Sequence, residues 1–160
     1  MLPDRLARFI ALHRIDASVV ASEVAAPTAE AAAQLLGVPL SSIVKTMVLT
    51  DGASFVVAIL PGSRRLDLKK AASVLGTGAL RFADPAEVLE QTGFPAGGVA
   101  PLGFARELAV VIDESLSRSG DGTVIAGGGR PELLMRVALA DVIRHNAAHV
   151  APVCRDVIDS

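Results

Sequence analysis

The sequence predicts an α+β fold, a mixed and partly barrel-like β-sheet surrounded by helices. Helix and strand patterns do not alternate one-to-one, as they would in a doubly wound parallel sheet. Two strand patterns, residues 43–50 and 54–60, follow each other across Asp51-Gly52, a hairpin-type turn. The 160 residues are 51% hydrophobic but only 3% aromatic. We therefore expect one domain over residues 1–160, with an aliphatic core.

The first third of the chain predicts a helix, a strand and a second helix. Residues 3–14 begin with Pro3, which suits a first helical turn, and their apolar side chains recur at helical spacing. Residues 17–22 predict a short strand. Thr28 is the predicted N-cap of an alanine-rich helix that ends at Gly37.

Capping signals define two further helices in the middle of the chain. Asp67 can cap a helix that reaches Leu75, and Gly76 stands just past its end. The string Asp84-Pro85-Ala86-Glu87 combines a capping side chain, a proline at the first helical position and a glutamate at the third. Both helices therefore follow the predicted hairpin.

The last third of the chain predicts strands followed by a short helix. Residues 108–113 and 123–126 are apolar strand patterns, and the second runs into Gly127-Gly128-Gly129. Residues 133–139 fit a strand or a helix, because periodicity does not separate the two over so short a run. Residues 141–145 predict a short helix.

Charge and composition narrow the classes of function. Fifteen Lys and Arg against seventeen Asp and Glu give a net charge of −2, so contact with nucleic acid would need a local patch. The longest apolar run, residues 55–60, is far shorter than the ~20 residues of a membrane-spanning helix. The single cysteine, Cys154, and the lack of a secretory pattern near Met1 predict a cytoplasmic protein without membrane contact.

Lys45 is the strongest anomaly in the sequence. It lies mid-strand and shares a face with Ile43, Met47 and Leu49, while the opposite face is also apolar. A buried ammonium is costly unless an anion or a set of acceptors meets it. Either Lys45 lies at an edge and reaches water along its own stem, or it lines a pocket for a negatively charged ligand.

Two glycine-rich segments and one basic cluster are the other candidates for chemistry. Residues 97–103 and 126–131 could aim backbone N–H groups at a ligand, or could simply be tight connections. The cations near the start of the third helix could meet phosphates, or could form a solvated face. That basic cluster consists of Arg64, Arg65, Lys69 and Lys70.

Several catalytic motifs are missing from the sequence. His145 and His149 have helical spacing but no HExxH pattern, so we expect no zinc site. The nucleophile elbow, Gly-x-Ser-x-Gly, does not occur, since Arg65 stands where its second glycine should follow Ser63. A hydrolase with this sequence would need neither a metal nor a serine triad, and we expect no cofactor.

Five segments, taken in order, resemble the YbaK/aminoacyl-tRNA editing domain family, also called the bacterial prolyl-tRNA synthetase insertion-domain superfamily. The similarity covers roughly residues 15–147. Each motif is weak alone, and their order and spacing make the match specific. The segments are Leu35-Leu36-Gly37-Val38, Ile43-Val44-Lys45-Thr46-Met47-Val48-Leu49, Leu66-Asp67-Leu68-Lys69-Lys70, Gly98-Val99-Ala100-Pro101-Leu102-Gly103 and Ala126-Gly127-Gly128-Gly129-Arg130.

The resemblance implies a deacylase that acts in trans on mischarged tRNA, such as Cys-tRNA(Pro). A synthetase pocket discriminates one methylene by only ~1–3 kcal/mol, so a second, hydrolytic site is needed. Lys45 would be the catalytic cation, and the basic cluster would contact tRNA. The implied partners are the tRNA acceptor end and prolyl-tRNA synthetase. The implied substrate-binding residues are Gly98, Val99, Ala100, Pro101, Gly103, Gly127, Gly128 and Gly129.

Two other classes of function fit the same residues. One is a binding module that holds a nucleotide, an amino acid or a partner in the same pocket without hydrolysis. The other is a metal-independent esterase that acts on small molecules, for which the basic cluster would be irrelevant. Incubation with Cys-, Ala- and Pro-charged tRNA separates a deacylase from a binding module. Charge reversal in the basic cluster would spare a small-molecule esterase but weaken a tRNA deacylase.

Overall fold

The computed structural model describes residues 2–21, 28–118 and 120–156. Within them lie five α-helices and eight β-strands, joined by two short 3-10 turns. In chain order the elements are α1 (Asp4–Leu12), β1 (Ala17–Ala21), α2 (Ala29–Leu36), β2 (Val44–Thr50), β3 (Phe55–Pro61), α3 (Leu68–Leu75), β4 (Arg81–Phe82), α4 (Pro85–Thr92), β5 (Ala109–Asp113), β6 (Thr123–Gly127), β7 (Leu134–Ala138), α5 (Leu139–Asn146) and β8 (His149–Ala151).

The strands form two sheets. One has the order β1-β7-β6 and is antiparallel, and the other has the order β4-β2-β3-β5-β8. The larger sheet is mixed, since β5 runs parallel to both β3 and β8 while β2 is antiparallel to β3 and β4. A bridge between Ile43 and Ile125 links the two sheets. The predicted α+β fold, with a mixed sheet and surrounding helices, is confirmed.

The predicted helix caps are confirmed by hydrogen bonds. The Thr28 hydroxyl accepts the Ala31 N–H at 3.0 Å, and the Asp67 carboxylate accepts the first N–H groups of α3. Asp84 and Glu87 form a reciprocal capping box at the start of α4. These helix N-termini follow from local chemistry, because each capping side chain accepts hydrogen bonds from N–H groups of the first turn, which have no partner within the helix.

Several individual strands differ from the predictions or add to them. The ambiguous residues 133–139 form strand β7, because Leu134–Ala138 pairs with β1 on one side and β6 on the other. Strand β1 ends at Ala21, and Ser22 lies outside the described residues. The two-residue β4 and three-residue β8 were not predicted, since strands so short carry no detectable periodicity.

The core occupies both faces of the larger sheet. Val44 and Val48 on β2 pack with Val57 and Ile59 on the face toward the smaller sheet. On the opposite face, Leu49 and its neighbours pack against α3 and the segment that follows β8. Alternation along β2 places Lys45 on this second face, among apolar side chains.

The outer edge of β2 is only partly covered, and this opens the site. Strand β4 pairs with Leu49 and Thr50, and the Ala83 N–H donates to the Val48 carbonyl at 2.9 Å. Backbone groups alternate between the two edges of a strand. The Thr46 peptide groups therefore face the same edge as those of Val48. Pairing with β4 and Ala83 reaches only as far as Val48, so this edge is uncovered at Thr46.

Candidate functional site

A cleft of about 480 Å³ lies along the uncovered edge of β2. It combines one cation with a mostly aliphatic wall, and both glycine-rich segments reach it. In the described part of the chain neither a carboxylate nor an imidazole lines it. The lining residues of this cavity, which we call the aminoacyl cleft after the ligand we propose for it, are Val44, Lys45, Thr46, Met47, Val48, Phe82, Ala83, Val88, Ala96, Gly97, Val99, Gly127, Pro131, Leu133 and Leu134.

Lys45 is half-buried at this cleft, and its ammonium has no counter-ion. Among residues 2–21, 28–118 and 120–156 it makes no hydrogen bond or ion pair. Burial lowers the pKa of Lys45, Cys154 acts in the opposite direction, and the charge of Arg65 lowers it further. A cation in this setting gains most from an incoming anion or carbonyl oxygen, because little solvent competes for it.

Thr46 contributes a second polar group to the same wall. Its Oγ1 atom is buried and has no hydrogen-bond partner among the described residues. Thr46 lines the aminoacyl cleft beside Lys45. A buried hydroxyl without a partner is expensive, so a ligand that supplies one gains free energy there. Thr46 and Lys45 lie on opposite faces of β2, and the open edge of the strand brings both residues to one cavity.

The two glycine-rich segments touch each other and form the far wall. A Cβ atom on Gly127 would lie 2.6 Å from the Val99 carbonyl oxygen, and one on Gly98 would meet the backbone of Arg130. Such distances leave no room for a side chain. The structure thus brings Val99 and Gly127 to the cleft with Lys45, and Gly98 supports them from behind.

The other predicted pocket residues lie deeper in the fold. Ala100 is fully buried, and Pro101 accepts a hydrogen bond from the Asn146 side chain at 2.8 Å. Gly103 and Gly129 pack against α1, where added Cβ atoms would meet Leu6 or Pro3. Gly128 packs on Leu133. None of these five residues lines the aminoacyl cleft, and their contact with substrate stays a prediction.

Hydrogen bonding within the protein narrows the set of free amides. The Gly98 N–H donates to Pro95 at 3.0 Å, and the Gly128 N–H donates to Leu133 at 3.0 Å. Those two amides are therefore occupied. Gly97 and Val99 both line the cleft, and their N–H groups have no acceptor within the described part of the chain. They are two available donors for a developing oxyanion.

A second cleft, of about 240 Å³, adjoins the first. It shares Lys45, Met47 and Phe82 with the aminoacyl cleft, so one ligand can span both. Three of its six lining residues are cations and none is acidic. The lining residues of this basic cleft are Lys45, Met47, Arg65, Leu66, Phe82 and Arg155.

The basic cluster predicted from sequence is divided by the fold. Only Arg65 lines the basic cleft. Arg64 donates to the Arg155 carbonyl at 3.0 Å, and Lys70 donates to the Cys154 carbonyl and to Asp156. Lys69 is exposed at the start of α3 and lines neither cleft. Contact of these cations with nucleic acid stays a prediction.

Comparison with known proteins identifies the family. The model for the aminoacyl-tRNA editing domain matches residues 23–145, which is more than half of the chain. The chain belongs to the aminoacyl-tRNA editing domain family. A solved structure of a protein proposed as a trans-editing enzyme for prolyl-tRNA synthetase superposes with a TM-score of 0.83 at 32% identity. That likeness covers 98% of this chain and 100% of the other.

Curated relatives of this editing domain include longer proteins. The uncharacterized protein YwhH of Bacillus subtilis (strain 168) is 39% identical over 97 residues, 60% of this chain and 61% of that protein. The proline–tRNA ligase of Burkholderia thailandensis is 32% identical over 143 residues, 81% of this chain. The alignment spans 25% of that ligase. The aligned part of this chain therefore spans less than two thirds of the length of either relative.

Two further observations concern the described residues of this editing domain. No helix in them is long and apolar enough to span a membrane. No group of three or more His, Cys, Asp or Glu side chains in them is arranged to hold a metal ion.

Two residues of the basic cleft, Phe82 and Arg155, were not predicted from the sequence. Strand β4, which carries Phe82, is too short to predict, and Arg155 lies 90 positions from Arg65 in the chain.

Proposed function

We propose that this editing domain hydrolyses the ester of mischarged tRNA in trans, with Cys-tRNA(Pro) or a similarly mischarged tRNA(Pro) as substrate. One observation carries the proposal: the unpaired Lys45 ammonium lies where the aminoacyl cleft meets the basic cleft. A cation there faces the position in which an aminoacyl ester joins an anionic nucleotide. Membership of the editing family supports the reaction class.

The residues at the cleft suit ester hydrolysis that is assisted by the substrate. Water adds to the ester carbonyl carbon, and the carbonyl oxygen becomes an oxyanion. The N–H groups of Gly97 and Val99, together with the Lys45 ammonium, stabilise that charge; one preorganised donor contributes ~2.7–4 kcal/mol. The neighbouring ribose hydroxyl of the substrate takes a proton from the water and passes its own proton to the ribose oxygen that leaves. The carbon–oxygen bond to the ribose then breaks, and the ribose oxygen leaves with a proton.

The wall of the aminoacyl cleft favours a small, weakly polar side chain. Val44, Val48, Val88 and Val99 contribute branched aliphatic surface, and the Thr46 hydroxyl is the polar exception. Cysteine and alanine side chains fit such a surface without leaving a buried charge unpaired. An apolar pocket discriminates cysteine and alanine from proline by only modest factors in rate. Discrimination against tRNA(Pro) charged with proline therefore depends on the shape of the pocket as well as on its polarity.

We infer that recognition of the tRNA body comes partly from a partner, prolyl-tRNA synthetase. The net charge of −2 gives the chain no overall attraction to a polyanion. Related segments occur within proline–tRNA ligases, where this chain aligns with a quarter of the length or less. We expect weak affinity for free tRNA at physiological salt; a nanomolar complex would contradict this inference.

The test is a panel of tRNA(Pro) charged with cysteine, alanine or proline. We expect release of cysteine or alanine, and at least about a hundredfold slower release by Lys45→Ala. Arg8→Ala is the control, because this exposed arginine of α1 lines neither cleft. Wild-type rates in Lys45→Ala would refute the role of Lys45. Binding of the charged tRNAs without release would instead support a non-catalytic module.

A further inference from the structure

We propose that the basic cleft binds the terminal nucleotides of an RNA strand, with a phosphate between Arg65 and Arg155 and a base stacked on Phe82. This inference rests on the proposed function and extends it by naming the residues that hold the nucleotide half of the substrate. The aminoacyl group would then enter the adjoining aminoacyl cleft. Arg155 and Phe82 belong to no sequence motif described above.

The fold fixes the two arginines side by side. The Arg155 N–H donates to the Arg65 carbonyl at 2.8 Å, and an antiparallel bridge joins the next pair of residues, Leu66 and Cys154. Asp113 holds this segment further, since its carboxylate accepts the Val153 and Cys154 N–H groups. Two guanidinium groups on a pair of segments joined in this way can clamp one phosphate with several donors.

The charge of this clamp is uncompensated in the described residues. No carboxylate lines the basic cleft, and neither guanidinium has an ion-pair or hydrogen-bond partner among residues 2–21, 28–118 and 120–156. Asp156, the adjacent acid, is paired with Lys70 at 3.0 Å. Lys45 adds a third positive charge at the inner end of the cleft. An anionic ligand is the natural complement of these three cations.

Phe82 supplies the surface for a base. Its side chain is 48% exposed, although the chain has only five phenylalanines and neither tryptophan nor tyrosine. Pairing with Leu49 of β2, followed by the Ala83 to Val48 hydrogen bond, holds its backbone in place. An exposed aromatic ring on a fixed backbone beside cations is the usual platform of single-strand nucleic-acid sites.

The residues shared by the two clefts give the substrate a direction. Lys45, Met47 and Phe82 line both cavities. A nucleotide whose phosphate lies between the arginines can therefore extend its ribose past Phe82 toward Lys45. The ester would then stand next to Gly97 and Val99, where the free amides are.

Fluorescence anisotropy tests this inference with a 5′-labelled CCA trinucleotide that carries alanine through a non-hydrolysable 3′-amide. We expect roughly ten- to a hundredfold weaker binding in the double variant Arg65→Ala, Arg155→Ala, and a smaller dependence of log Kd on log salt. Phe82→Leu should weaken binding about tenfold and leave the salt dependence unchanged, because stacking releases no counter-ions. Arg8→Ala, at an exposed position of α1 outside both clefts, should bind like wild type. Circular dichroism melts verify that each variant is folded.

Three outcomes overturn the inference. They are wild-type affinity in the double arginine variant, an unchanged salt dependence in that variant, and displacement of the RNA by inorganic phosphate as readily as by unlabelled trinucleotide. Deacylation of charged tRNA(Pro), measured in parallel, separates this inference from the proposed function. If wild type releases no amino acid but binds the trinucleotide through these arginines, only the proposed function fails. If it releases the amino acid with unchanged KM in the double variant, only this inference fails.

Discussion

Gly98 and Arg130 lie backbone against backbone: a Cβ atom on Gly98 would come within 2.5 Å of the Arg130 carbonyl carbon. The same contact continues at Gly127, where a Cβ atom would lie 2.6 Å from the Val99 carbonyl oxygen. Gly98 and Gly127 are therefore required by the contact between the two segments. Together the two segments form the wall of the aminoacyl cleft that faces Lys45.

Gly98→Ala should destabilise the fold and impair the site. The new methyl group clashes with backbone, which cannot move aside as a flexible side chain can, so we expect a loss of roughly 1–3 kcal/mol. Urea unfolding gives the magnitude. Gly78→Ala is the control, because its nearest neighbours lie 3.7 Å away on Asp51. Equal stability of the two variants would show that the backbone at this contact can shift to accommodate a methyl group.

Lys45→Met should keep or raise stability while deacylation is lost. Burial lowers the pKa of Lys45, so the folded state gains nothing from its charge, and a methionine of similar length fits the apolar face. Thermal unfolding and single-turnover deacylation are measured on the same preparation. A marked fall in stability would indicate that the ammonium has a structural partner, and its proposed role would then need revision.

Asp113→Ala should release the segment that carries Arg155. The Asp113 side chain is buried, and its carboxylate accepts the N–H groups of Val153 at 2.9 Å and Cys154 at 3.3 Å. We expect a loss of about 1–3 kcal/mol in the free energy of unfolding, together with weaker trinucleotide binding. Glu107→Ala, at an exposed position, is the control. Unchanged RNA binding in folded Asp113→Ala would show that the position of this segment does not affect the RNA site.

Acid should destabilise the protein partly through His145. Its pKa is lowered by burial, and then by the nearby charges of His13 and Arg144, against an opposing effect of Asp141. The rings of His13 and His145 are 4.9 Å apart. Because the folded pKa lies below the unfolded value, this contribution is complete above about pH 6.5 and is lost as the pH falls through the folded pKa.

The measurement is the thermal unfolding midpoint at intervals from pH 8 to pH 5. We expect the midpoint to fall below pH 6.5, and the fall to be smaller in His145→Gln. His149→Gln, at an exposed strand position, should behave like wild type. Identical pH profiles for all three proteins would exclude His145 as a source of the acid sensitivity.

The single cysteine should be inert in the folded protein. Burial, followed by the charge of Asp113, raises the pKa of Cys154 to about 11, and the residue is only 3% exposed. At pH 8 the thiolate fraction is therefore on the order of a thousandth, which makes alkylation slow. Iodoacetamide labelling followed by mass spectrometry should show modification in urea and almost none without it. Rapid labelling of the native protein would contradict the buried placement.

Features that depend on interactions between near neighbours in the chain could be predicted from the amino-acid sequence. Thr28, Asp67 and Asp84 were predicted as caps and form them, because a cap bonds N–H groups within its own helical turn. The hairpin at Asp51-Gly52 is also as predicted. Lys45 was visible as an anomaly, since alternation along one strand suffices to place a charge on an apolar face.

The fold of the whole chain determines which groups share a cavity. It divided the basic cluster, brought Arg155 beside Arg65 across 90 positions, and placed Phe82 of a two-residue strand at the junction of both clefts. It also set the glycines of one segment against the backbone of the other. Local propensity and periodicity record only interactions within a few residues, whereas these contacts depend on strand pairing between distant parts of the chain.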